Sequence, residues 1–218
     1  MTKTQLMVMM TPIVLFSLTI HEYSHGRVAF MLGDPTAKLK GRLSFNPLKH
    51  LDPIGVLFFY FVGFGWAKPV PVDPRNFMNP RKDLMYVSLA GPFANIVLAL
   101  ICGFFIRMTD PNEHMNLFYL LTFGVYINVA LAVFNMLPVF PLDGAGVIKG
   151  LVSPAIALRL HSLDKISGFI LLGVFLMDHF LHTGILWYAV GYPVMLLVEL
   201  LTQEAFPLIQ QVLFVSFR

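Results

Sequence analysis

The 218-residue chain is 57% hydrophobic and only 12% charged, with a mean hydropathy of +0.74 and a formal net charge of +3. A soluble domain of this size carries about twice that charged fraction, so the composition excludes an ordinary water-soluble globule. It points to one compact membrane-embedded unit over residues 1–218. The small positive charge gives no reason to expect a nucleic-acid partner, and a single cysteine, Cys102, rules out an internal disulfide.

Leu6–Leu32 is the first predicted span. Lys3 ahead of an apolar run resembles a signal peptide, but the run is too long and shows no small-residue cleavage pattern, so it is expected to be retained. Inside it lies His21-Glu22-Tyr23-Ser24-His25. On a helix this HExxH spacing sets two imidazoles one turn apart on one face, with a carboxylate beside them, a pattern suited to a shared metal ion and a water that it activates. Ionisable groups inside a span are costly and read as functional by default.

Gly33-Asp34-Pro35 ends this span, and a basic stretch with Lys38, Lys40, Arg42 and Lys49 follows. The aromatic run Pro53–Trp66 is too short to cross a bilayer comfortably. Its glycines and aromatics predict a re-entrant segment, extended in character, with a β-hairpin near residues 52–67 as one form or an interfacial anchor as the plainer one. Prolines 69, 71, 74 and 80 exclude regular helix up to the second span, Leu84–Ile106.

Leu117–Leu137 is the third span. Residues 147–165 read as a short amphipathic helix and a connector. Ile166–Leu181 and Ile185–Leu201 then form a helical hairpin about Thr183-Gly184, and the last residues, 207–217, lie at the interface. The expected fold is an all-α polytopic membrane protein of about five to six spans. Basic residues gather in the loops at 33–50, 67–83 and 138–165. With Pro53–Trp66 re-entrant, these loops share one side, which places them in the cytoplasm and the N-terminus outside.

His25 and His21 lie 7 and 11 residues from Leu32, roughly 10–16 Å into the membrane at ~1.5 Å per residue. Gly91 and Asn95 stand equally far in from Leu84, and small residues here let helices approach closely. Asn128 and Asn135 share a face of the third span. In Pro138–Gly146, two prolines and two glycines surround Asp143. Broken backbone of this kind is tolerated only when buried in protein or lining a wet cavity, where Asp143 can reach both imidazoles. Two histidines and a carboxylate, with a fourth position open to water, make a catalytic zinc set. The plainer readings are a helix-stop turn at Asp143, packing at Ala90–Asn95 and a helix cap at Asn135. Asp178, His179 and His182 read as a solvated hairpin end.

Together these pieces resemble the site-2 proteases, intramembrane zinc metalloproteases. The matching residues are His21–His25, Gly33-Asp34-Pro35-Thr36, Asn46-Pro47-Leu48-Lys49-His50 and Gly63-Phe64-Gly65-Trp66-Ala67-Lys68-Pro69-Val70-Pro71-Val72. Ala90–Asn95 and Asn135-Met-Leu-Pro138 through Pro141-Leu-Asp143-Gly144 complete them. The match covers residues 6–150, with no PDZ-like or CBS-like insertion, and departs from the common pattern at Ala145. It implies one Zn²⁺ held by His21, His25 and Asp143, with Glu22 as general base, cutting within or near the span of a single-span membrane protein. Asn135 and Asn95 become oxyanion or substrate supports, and Gly63, Gly65 and Trp66 lie where an unwound substrate strand is captured. Beyond substrate and lipid, a regulatory membrane protein or a second copy of the chain remains open as a partner. The competing reading is a metal-binding membrane transporter or scaffold without proteolysis.

Overall fold

The computed structural model describes residues 3–62 and 65–216. Among them regular structure is helical throughout: α1 (Lys3–Met31), α2 (Thr36–Leu39), α3 (Pro53–Val62), α4 (Pro80–Arg107), α5 (Met115–Asn135), α6 (Asp143–Leu151), α7 (Pro154–Leu181), α8 (Tyr192–Thr202) and α9 (Phe206–Ser216). The only extended pairing among the described residues is one bridge, Leu51 with Ala67. Among the described residues three helices are long and apolar enough to cross a membrane, namely α4, α5 and residues Pro154–Asp178 of α7, while Trp187–Thr202 is apolar but shorter. α1 is 29 residues long and carries the HExxH in its second half.

Aspartate, asparagine or serine followed by proline opens three of these helices. Asp52 Oδ1 accepts the Ile54 and Gly55 N–H groups at 2.9 and 3.1 Å, and Pro53 takes the first helical position. This is a side-chain cap with proline at N1, and it makes Pro53–Val62 a helix where extended structure was expected. Asn79 precedes Pro80, with the Asn79 N–H donating to Asp83 Oδ2 at 2.9 Å, so α4 starts four residues before the apolar run. Ser153-Pro154 opens α7, which runs unbroken to Leu181. The expected connector up to residue 165 is therefore the first part of a long helix. The turn at 182–184 holds, with Gly184 at φ 73°. Beyond it, Trp187–Gly191 is π-helical before α8, rather than the start of one regular span.

The chain divides into two compact units. The first comprises Met1–Ser17, Asn95–Phe134 and Gly173–Arg218. Its core joins Ala99, Ile106, Phe118, Phe123, Val125, Val194, Val198 and Ile209. Gly124 lets α5 come against Cys102 of α4, where a Cβ would stand 2.7 Å from the Cys102 sulfur. Buried amides cross-link the unit. Asn95 Nδ2 donates to Asn128 Oδ1 at 2.8 Å and to the Ser17 carbonyl at 3.4 Å, and Asn128 Nδ2 donates to the Gly124 carbonyl.

The second unit comprises Leu18–Ala94 and Asn135–Leu172. Ala29, Phe77 and Val87 form a small core with Val28, Leu32, Val72 and Leu84 around them. Asp34, fully buried, ties its loops together. The carboxylate accepts the Thr36 and Asp73 N–H groups at 3.0 and 2.7 Å, and Asn76 Nδ2 at 2.7 Å. Burial pushes the Asp34 pKa up, but the hydrogen bonds from Thr36, Asp73 and Asn76 outweigh it and hold the carboxyl below its ordinary value.

Candidate metal centre

The candidate centre is assembled within the second unit from α1, α4 and α6. His21 and His25 follow each other by one helical turn on α1, and their Nε2 atoms converge to 3.0 Å. The His25 Nδ1–H donates to the Val87 carbonyl of α4 at 2.6 Å. That bond fixes the tautomer and leaves the Nε2 lone pair facing inward. α4 passes directly over the imidazoles at Gly91. A Cβ there would lie 2.6 Å from His21 Nε2 and closer still to His25 Nε2, so only glycine admits both rings.

Asp143 arrives from the other side. After α5 the chain doubles back through short turns, Val139 N–H to the Leu137 carbonyl and Leu142 N–H to the Val139 carbonyl, and Asp143 opens α6. Gly144 rests on the Met136 and Leu137 carbonyls, while Gly146 and Gly150 lie against Ser88 and Met85 of α4. With Gly146 and Gly150 on the face toward α4 and Gly144 against the preceding turn, α6 comes in close enough for Asp143 Oδ2 to stand 3.2 Å from His21 Nε2 and 3.3 Å from His25 Nε2.

The donor atoms of His21, His25 and Asp143 all lie within 4.8 Å of one another. The three closest form a triangle with edges of 3.0, 3.2 and 3.3 Å. Tetrahedral zinc with N and O ligands near 2.0–2.2 Å separates its donors by about 3.3 Å, so the spacing fits. Asp143 Oδ2 is buried and accepts no hydrogen bond among the described residues. With the His25 proton on Nδ1, the His25 Nε2 lone pair and Asp143 Oδ2 face one another, and a cation is the natural occupant between them. Glu22 is buried next to His21, with Oε2 accepting the Val70 N–H at 2.8 Å.

A model of peptidase family M50 matches residues 106–177, a stretch that includes Asp143 but not His21–His25. A Bacillus subtilis (strain 168) protein named "Putative zinc metalloprotease YwhC" is 37% identical over 182 residues, covering 80% of this chain and 82% of that protein. The chain belongs to peptidase family M50. Further relatives match over shorter stretches. "Putative zinc metalloprotease Rip2" of Mycolicibacterium smegmatis is 34% identical over 146 residues, 64% of this chain and 56% of that protein. "Putative zinc metalloprotease MJ0611" of Methanocaldococcus jannaschii is 44% identical over 75 residues, covering 34% of this chain and 38% of its own length. No solved structure matches.

Of the residues expected from sequence, the fold brings His21, Glu22, His25 and Asp143 together in one unit. Asn135 closes α5, eight positions before Asp143, and is half-buried. Asn95 is fully buried in the first unit, bonded to Asn128 and Ser17. Gly65 and Trp66 belong to the second unit, where Gly55 packs on the Trp66 backbone. Gly63 lies outside the described residues. Sequence reading missed the Val87 carbonyl and the Val70 amide, since a backbone group leaves no side-chain signature. It also missed Gly146 and Gly150, although their i, i+4 spacing is the signal of a close helix contact.

Proposed function

We propose that this M50 member is an intramembrane zinc metalloprotease that hydrolyses a peptide bond within or near the span of a single-span membrane protein. One observation carries the reading: the near-equilateral triangle of His21, His25 and Asp143 donors, with the Glu22 carboxylate one residue from the first ligand. A zinc ion held by these three would supply Lewis-acid activation of a water and of the scissile carbonyl. The chain's own groups do the rest. Glu22 takes the proton from the attacking water and returns it to the leaving amine. Val87 holds His25 in its ligating tautomer. Asn135 donates a hydrogen bond to the developing oxyanion, and Asn95 supports the packing of α4 on α5 through Asn128. Gly65 and Trp66 take the unwound substrate strand by edge pairing.

Depth supports the membrane part of the proposal. His25 and His21 precede Met31, the end of α1, by about 9 and 15 Å at 1.5 Å per residue. α1, α4, α5 and α7 are full spans, the region after residue 184 adds the fifth or sixth, and α3 is a re-entrant helix. The basic loops are cytoplasmic in a cell membrane, the N-terminus is outside, and water enters the site from the cytoplasm.

The test is cleavage of a model single-span substrate by purified protein, with the product ends mapped by mass spectrometry. Chelation is expected to stop cleavage, zinc to restore it, and the cut to fall inside the span. A cut confined to soluble flanks, or one indifferent to chelation, contradicts the proposal.

A further inference from the structure

Lys68-Pro69-Val70-Pro71-Val72 is pinned along its length, yet the mechanism above gives it no task. Each proline fixes its own φ and drives the residue before it to extended backbone, so Lys68 and Val70 are both extended. In extended chain, alternate residues turn their N–H and C=O groups to the same side. The Lys68 N–H donates to the His50 carbonyl at 2.8 Å, and the Lys68 carbonyl accepts Arg42 Nη2 at 2.7 Å. Two residues on, the Val70 N–H donates to Glu22 Oε2. Gly26, one turn along α1, makes room, since a Cβ there would lie 3.1 Å from Val70 Cγ1. Past Val72, the Asp73 N–H is held by buried Asp34.

The stretch is thus anchored on both sides of the amide that meets Glu22. Its other edge has no N–H at Pro69 or Pro71, which makes it a poor template for an added strand. We propose that Lys68–Val72 is a positioning strap for Glu22, not a strand that receives substrate. The Val70 N–H holds Oε2 in place and leaves Oε1 to exchange protons with the water and the leaving amine. The Pro-Val-Pro sequence isolates this single donor and stiffens it. Val70 is a positioning residue, acting through Glu22, and the inference rests on the protease reading above.

Two measurements test it on the full chain in detergent, with zinc content assayed in parallel. The first is hydrogen–deuterium exchange of fragments across residues 67–73, where the prolines contribute no exchanging amide. The Val70 amide is expected to exchange slowly in wild type and in Glu22→Gln, whose side-chain oxygen still accepts. In Glu22→Ala it is expected to exchange roughly tenfold faster or more, with zinc retained. Equal exchange in all three proteins overturns the proposal. The second is the kinetics of Val70→Pro, which removes the N–H. A kcat lower by roughly tenfold or more, with KM within about twofold and zinc retained, is expected. A wild-type kcat with a raised KM assigns the strap to substrate binding and overturns the proposal. If Val70→Pro does not fold, the exchange comparison decides. If wild type cuts nothing while the exchange pattern is as expected, the protease reading fails and the Glu22–Val70 contact stands.

Discussion

Replacing Gly91 by alanine tests how the centre is built. The added Cβ would stand 2.6 Å from both Cε1 and Nε2 of His21, with His25 Nε2 nearer still. Ordinary carbon contacts lie near 3.5–4.0 Å, so α4 must retreat, or the imidazoles swing away, by about 1 Å. The ligand triangle has edges of only 3.0–3.3 Å, and metal ligands tolerate displacements of about 0.2 Å. Retreat of α4 also pulls the Val87 carbonyl from His25 Nδ1. Loss of such a supporting contact alone costs roughly 10–100-fold in metal affinity, so the expected loss is at least that large. Folding suffers less. Alanine gains about 1 kcal/mol over glycine as a helix former, against an overpacking cost of about 1–3 kcal/mol. Gly91→Ala should therefore give a folded protein with weakened zinc binding and no cleavage. Zinc affinity is read by competition with a chromophoric chelator, and folding by thermal melting of the metal-free protein. Wild-type affinity and cleavage in this variant would refute the packing argument.

Asp34→Asn should destabilise the protein by about 1–3 kcal/mol at neutral pH, because a carboxylate with three hydrogen-bonding partners loses its charge. The folded Asp34 pKa is depressed, so this contribution is full above the unfolded value near 3.9 and disappears as pH falls through the folded value. Thermal melts of the two proteins should differ at pH 7 and converge below about pH 4. Gly146→Ala should cost about 1–3 kcal/mol by driving α6 off Ser88. It should also weaken zinc binding by displacing Asp143, and Ser88→Ala in the same chain should recover part of both losses, as read by melting and chelator competition.

The parts legible in the sequence were those written in side chains at fixed spacing. The HExxH sets His21 and His25 a turn apart by helix geometry alone, and the broken backbone around Asp143 marked a carboxylate that had to be buried against something. The apolar runs of the second and third spans lie within two to four residues of α4 and α5. Errors arose where composition was weighed above capping. The aromatics and glycines of Pro53–Trp66 suggest strands, but the Asp52 side chain caps a helix that begins at Pro53, and α7 begins at Pro154, ahead of the apolar run. The hydrogen bonds that orient His25 and Glu22 come from main-chain atoms of residues more than 40 positions away. No residue type announces them, so only the fold reveals them.

The most direct test of the central claim is paired measurement of zinc content and cleavage in wild type, Glu22→Gln and Asp143→Asn. Glu22→Gln is predicted to keep one zinc per chain and lose cleavage by roughly 100-fold or more. Asp143→Asn is predicted to lose both zinc and cleavage. Full zinc and full activity in Asp143→Asn, or undiminished cleavage in Glu22→Gln, would contradict the account.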